Sequence, residues 1–168
     1  MKGSREARVM IVILILSMAG IGLATFLVAN HYRLVSAAFC EIGPWADCED
    51  VNGGPYSEVF PGLPWAVVGL AGFVAVFCLA YLKLYYPELD GKGRFVPLLL
   101  LFSVTGVIFV VYLNYLEFAV IHKLCIFCAA SHAIMTVILM IIAWWQYSGR
   151  HKEEKADAGV TQNPGASE

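Results

Sequence analysis

The chain has 168 residues, of which 60% are hydrophobic and only 14% charged, so it is more apolar than a soluble globular domain. A net charge of -2 and the lack of a basic stripe interleaved with aromatics exclude a nucleic-acid partner. The length leaves room for a few membrane spans and no separate soluble domain.

The apolar residues fall into four long runs, each near the roughly 20 residues a helix needs to cross the hydrocarbon core. The first spans about residues 9–29. Lys2, Arg5 and Arg8 precede it as they would a signal peptide, but the run exceeds a signal h-region of about 7–15 residues, so a retained anchor is expected. Residues 30–62 form a loop carrying Glu41, Asp47, Glu49, Asp50 and Glu58, with turn formers at Asn52-Gly53-Gly54-Pro55. Tyr56 to Phe60 is expected to make a short helical turn on the membrane surface. The second run covers about 63–85, and its Gly69, Gly72 and Ala75 are expected to allow close helix packing. The third covers about 95–116 and the fourth about 124–147, separated by a short link at 117–123. Only helix satisfies the backbone in lipid without a closed barrel. The expected fold is all-α: an integral membrane four-helix bundle over residues 1–147, with a loop cap carrying a short surface helix. The polar tail, 148–168, is expected to be disordered.

Orientation follows from the basic residues. Lys2, Arg5, Arg8, Lys83, Lys92, Arg94, Arg150, Lys152 and Lys155 fall on one side, and only Arg33 and Lys123 on the other. Both termini and the 86–94 link are therefore expected in the cytoplasm, with the 30–62 loop and the 117–123 link outside. The aromatic content of 13% suits interfacial belts of Trp and Tyr.

Five cysteines carry the chemistry. Cys40 and Cys48 lie in the long loop, Cys125 and Cys128 open the fourth span as Cys-Ile-Phe-Cys, and Cys78 is expected inside the second as a buried apolar filler. Two spans separate Cys48 from Cys125, so both pairs face the same, outer side, where disulfides persist. Two pairs on one face of a membrane suit relayed thiol–disulfide exchange. Cys125 and Cys128 share a helix face at i, i+3, at an N-terminus whose backbone N–H groups favour a thiolate, and the thiolate is the attacking species in exchange. Gly43 and Pro44 make the 40–48 segment able to pair its two sulfurs or to swing one away.

Two other classes remain open on the residues alone. The four cysteines suit two structural disulfides in a non-enzymatic membrane protein, although a Cys-X-X-Cys loop is so small that closing it removes little unfolded-state entropy. A metal-handling role for Cys125, Cys128, His122 and His132 is conceivable, but their spacing is not a standard ligand pattern and no metal is expected. Covalent haem would want His after the second cysteine, where Ala129 stands.

Cys40 and Cys48 with seven residues between, the run from Cys48 through Pro55 and Pro61 to Pro64, and Cys125-Ile-Phe-Cys128 opening the last span together resemble the vitamin K epoxide reductase (VKOR) family in its prokaryotic four-span form, over about residues 8–147. The DsbB family also has two outer pairs, but there the Cys-X-X-Cys comes first. The resemblance implies four helices around a quinone of the ubiquinone or menaquinone type, in the cytoplasmic membrane of a prokaryote. It implies that Cys125 and Cys128 are the active-site pair, Cys128 facing the quinone. Cys48 would attack Cys125, and Cys40 would exchange with a separate DsbA-like or thioredoxin-like protein on the outer face. Two positions depart from the family pattern: Gly54 stands where Ser or Thr is frequent, three residues before Ser57, and His132 stands where Tyr is common. Polar residues inside spans are costly and lean functional, so Ser131, His132, Asn114 and Glu117, near the outer ends, are the expected quinone neighbours, with Ser57 of the loop beside them. The expected function is a quinone-dependent thiol oxidoreductase that supports disulfide formation.

Overall fold

The computed structural model describes residues 2–161 apart from 38, 39, 41, 42, 44 and 92; the expectations on Glu41, Pro44 and Lys92 lie outside the described residues. Five α-helices dominate: α1 (Lys2–His31), α2 (Cys48–Gly53), α3 (Trp65–Tyr85), α4 (Phe95–Tyr115) and α5 (Ile126–Thr161). A small antiparallel hairpin pairs β1 (Glu58–Phe60) with β2 (Leu63–Pro64). Four helices are long and apolar enough to cross a membrane, and the protein is a multi-pass helical bundle.

The four spans close into a ring in which α1 contacts α3 and α5, and α4 contacts the same two. Met10, Ile13, Phe73, Val76, Leu99 and Ile138 form the centre of its buried core. Ile15, Ile108, Val111 and Trp144 face outward; in lipid such residues need no cover, because the hydrocarbon is as apolar as they are. The tightest approach is between α1 and α3, where a Cβ at Gly20 would fall on the Phe73 ring. Gly20 thus lets a large aromatic lie flat on a neighbouring backbone.

Both ends of the bundle are tied. At one, Lys83 reaches Asp90 at 2.8 Å and Glu6 at 3.4 Å, Asp90 also accepts from the Phe95 N–H at 3.0 Å, and the Arg5 guanidinium lies 5.2 Å from the Trp144 ring centre. These contacts gather the start of α1, the 86–94 link and the far part of α5. The other end carries the long loop and Cys125.

Several local expectations change. Tyr56 to Phe60 is not a helical turn: residues 58–60 are a strand, because Pro61-Gly62, with Gly62 at φ 87°, makes a turn that folds Leu63–Pro64 back on it. The short helix of the loop lies earlier, at Cys48–Gly53, where Asp47 caps it by accepting from the Asp50 N–H at 3.0 Å. The link after the third span is shorter than 117–123. Leu116–Ile121 continues α4 as a π-helical turn until His122, at φ 56°, stops it in the left-handed region. The last helix continues through Thr161, so residues 148–161 are helical rather than disordered; Glu153, Glu154, Lys155 and Ala156 are strong helix formers extending a helix already nucleated. Residues 162–168 lie outside the described residues.

Replacing Gly20 with leucine should force α1 away from Phe73 and cost about 1–3 kcal/mol. Thermal unfolding in detergent measures this; an unchanged melting temperature would show that the bundle tolerates a wider α1–α3 spacing.

Candidate active site

The long loop is pinned to the start of α5 by backbone hydrogen bonds. Leu124 N–H donates to Trp45 O at 2.9 Å and Asp47 N–H donates to Leu124 O at 3.1 Å, making a parallel bridge between Ala46 and Leu124. The next residues along the two strands of this bridge include Cys48 and Cys125, each at the start of a helix. An outer clasp reinforces the bridge: Lys123 Nζ lies 2.9 Å from Asp47 Oδ2 and also pairs with Asp50. The Asp50 and Asp47 carboxylates hold the Lys123 ammonium above its usual range. The Asp50 N–H and then Lys123 hold the Asp47 carboxyl below its own.

Cys40 and Cys48 are joined by a disulfide, with Cα atoms 5.8 Å apart, while Cys125 and Cys128 are free thiols. Cys40, Cys48 and Cys125 are all buried, in one cluster with Leu27, Ala37 and Val51. Cys128 packs against that cluster and is less enclosed. Its backbone N–H donates to Cys125 Sγ at 3.2 Å, which orients that sulfur within the first turn of α5. Phe26 and Phe127, with ring centres 4.9 Å apart, pack beside the cysteines. Cys78 is not the buried filler expected: it is exposed on α3, on a face that lipid can cover, and takes no part.

Cys128 also borders a cavity of about 370 Å³ among the helices, a size typical of small-molecule sites. Its walls are mainly apolar, including Phe73, Phe102, Phe109 and Met135. Of the expected polar contacts, Ser57, Glu117, Ser131 and His132 line it, and Asn114 does not. Asn114 instead donates to Val110 O at 2.9 Å within its own helix, which satisfies the amide without a ligand. Ser57 and Ser131 also use their hydroxyl hydrogens locally, on Gly54 O at 2.7 Å and Phe127 O at 3.0 Å. Among the described residues, Glu117 Oε2 and His132 Nδ1 have no hydrogen-bond partner, though Glu117 is 3% and His132 9% exposed. Buried polar atoms are rarely left so.

Gly69 and Gly72 do not serve close helix packing. An added Cβ at either would meet nothing within 4 Å, and both line the cavity. Their missing side chains leave the space open. Gly54 is tight by contrast: a Cβ there would collide with Asp50 O, so this loop has no room for a Ser or Thr.

Asn52, Thr105 and Tyr56 also line the cavity. Asn52 is buried, donates to Leu27 O at 2.7 Å and Asn30 Oδ1 at 3.0 Å, and ties α2 to the end of α1. Its neighbours Gly53 and Gly54 disguise it as a turn former. Its place four residues after Cys48, on the same helical face, is the signal that marks it. Among the described residues, no three or more His, Cys, Asp and Glu side chains group as metal ligands would.

The family model described as the vitamin K epoxide reductase family (VKOR) matches residues 11–143, most of the chain. A comparison with curated proteins gives no match.

The clasp has a definite pH dependence. Because the folded Asp47 carboxyl is depressed, its contribution is present above the unfolded value of about 3.9 and fades as pH falls through the lower folded value. Below about pH 4 the Cys40–Cys48 disulfide should become easier to reduce with a phosphine. Lys123→Ala should reproduce that at neutral pH by a few-fold, since exposed ion pairs are weak. Equal reduction rates in the variant and the parent protein would remove the clasp from the account.

Proposed function

The chain belongs to the vitamin K epoxide reductase family, and from that premise we propose that it is a quinone-dependent thiol oxidase supporting disulfide formation. Family membership makes it a membrane thiol oxidoreductase; the direction, the acceptor and the partner are our reading. One observation carries it: the Cys40–Cys48 disulfide and Cys125 share one buried cluster, and Cys128 connects that cluster to the wall of an apolar cavity. The four cysteines are thus gathered between the loop and the cavity.

In this reading a reduced thioredoxin-fold protein of the DsbA kind gives two electrons to the Cys40–Cys48 disulfide. Cys40 is buried, so the loop must lift for the partner to reach it. Opening the Lys123 clasp is the least costly way, because exposed ion pairs are weak. Cys48, as thiolate, then attacks Cys125 of an oxidised Cys125–Cys128 pair, forming a Cys48–Cys125 mixed disulfide and releasing Cys128. Cys40 attacks Cys48, which restores the loop disulfide and leaves Cys125 and Cys128 reduced.

The cavity fits a quinone headgroup: it is walled by aromatic and aliphatic side chains, borders a free thiol and contains two unpartnered polar atoms. A membrane quinone of the ubiquinone or menaquinone type, when bound, supplies the two-electron sink. For a two-electron couple about 30 mV corresponds to about 1.4 kcal/mol, so a modest difference in potential drives the transfer. Ser57, Ser131 and His132 are the polar groups placed to orient it, and Glu117 stands beside them in the wall. The bundle end that carries the cysteines would face the outside of a prokaryotic cytoplasmic membrane, and both termini the cytoplasm, as the basic residues favour.

Purified protein should oxidise a reduced thioredoxin-fold dithiol protein only when quinone is added. Cys40→Ser removes the thiol that resolves the Cys48–Cys125 linkage and should accumulate it, read by non-reducing peptide mass mapping. Full oxidase activity in both Cys40→Ala and Cys125→Ala would end the relay. Gly72→Leu has room for its Cβ beside the cavity and should occupy that space while keeping stability, since glycine within a helix costs up to about 1 kcal/mol. That variant should lose quinone reduction while still exchanging disulfides with the protein partner.

A further inference from the structure

We propose that Glu117 carries the proton that leaves Cys125 to the quinone in the adjoining cavity. The proposal rests on the quinone-dependent reading above and adds the proton route, which the order of the sulfurs leaves undefined.

Oxidising a dithiol with a quinone moves two electrons and two protons. The Cys125–Cys128 bond forms, both S–H bonds break, and both ring oxygens gain hydrogen to give the hydroquinone. Cys128 lines the cavity, so its proton has a direct path. Cys125 does not line the cavity and is fully buried. Its proton needs an intermediary that touches both places. Glu117 meets this need on three observations. The backbone N–H of Cys125 is directed at its carboxylate. The carboxylate shares the cavity wall with Cys128. Glu117 itself lines the cavity with Oε2 unpartnered.

No cation compensates the carboxylate. Lys123 is engaged with Asp47 and Asp50, and Glu117 takes part in no ion pair among the described residues. A buried carboxyl without a cation or a full set of donors is costly, which argues against a purely structural role. The π-helical turn at Leu116–Ile121 gives the position its setting: such turns widen a helix locally and recur at functional sites. In the step itself, the Glu117 carboxylate accepts the Cys125 proton from one side and releases it to a ring oxygen on the other. It ends as it began, and no further reductant or oxidant is consumed.

Glu117→Gln keeps the size and the acceptor for the Cys125 N–H but cannot carry a proton. In that variant, quinone should still bind, read by quenching of tryptophan fluorescence on quinone titration. The Cys48–Cys125 mixed disulfide should still form in the Cys40→Ser background once Cys125 and Cys128 have been oxidised. The single-turnover oxidation of reduced Cys125 and Cys128 by quinone should slow by about 100-fold, as expected for loss of a positioned proton carrier, and the solvent deuterium isotope effect on that step should change. Glu117→Asp should recover part of the rate, and it serves as the test variant if the glutamine form does not fold. An unchanged rate and isotope effect, or loss of quinone binding in the glutamine variant, would overturn the proton route. Failure of the unaltered protein to bind or reduce quinone would instead overturn the oxidase reading beneath it.

Discussion

The site depends on one backbone interaction, the parallel bridge between Ala46 and Leu124. Two hydrogen bonds on Leu124 hold a loop of more than thirty residues against the first turn of α5. Because Cys48 and Cys125 follow this bridge closely on their own segments, cysteines 77 positions apart in sequence enter one buried cluster. Main-chain bonds are well suited to the task, since they set a register that side-chain contacts alone would leave loose. The Lys123 clasp lies outside the bridge and is exposed, and so is much easier to release. A loop that must open for a protein partner and close over its own active site needs this division between a firm register and a weak latch.

The cavity is made by omission. Gly69 and Gly72 leave room on α3 that any larger residue would fill, while Gly20 and Gly106 let Phe73 and Met135 press against neighbouring backbones. Empty space in a packed interior forfeits dispersion contacts, so a cavity bordering a free thiol is a structural cost with a chemical use. The polar groups around it divide in two. Ser57 and Ser131 spend their hydrogens on nearby carbonyls, whereas Glu117 and His132 retain unpartnered atoms. The second pair is the more informative, because a buried polar atom without a partner is destabilising unless something else binds it.

Much of the fold was legible along the chain. Apolar runs of the right length can only be helices in lipid, and four of them appeared with ends close to those observed. The misjudged pieces were short. Tyr56 to Phe60 alternates too briefly to reveal a strand, and Pro61-Gly62 gave the hairpin its turn. Asp47 was counted as loop acidity although it caps a helix and binds Lys123. Asn114 looked functional because an amide inside a span is costly, but a carbonyl one turn back satisfies it. Asn52 and Thr105 were missed because neither carries a charge or a motif.

Sequence by itself determined the four spans, the charge asymmetry, the two cysteine pairs and the family resemblance, because these depend on residue type, spacing and the length a bilayer imposes. Only the tertiary structure decided that Cys48 lies with Cys125, that Cys128 borders a cavity, that two glycines create that cavity, and that Glu117 and His132 lack partners. Those features arise where separate segments meet, and the contacts that satisfy or deprive a side chain are set by the packing of elements distant along the chain.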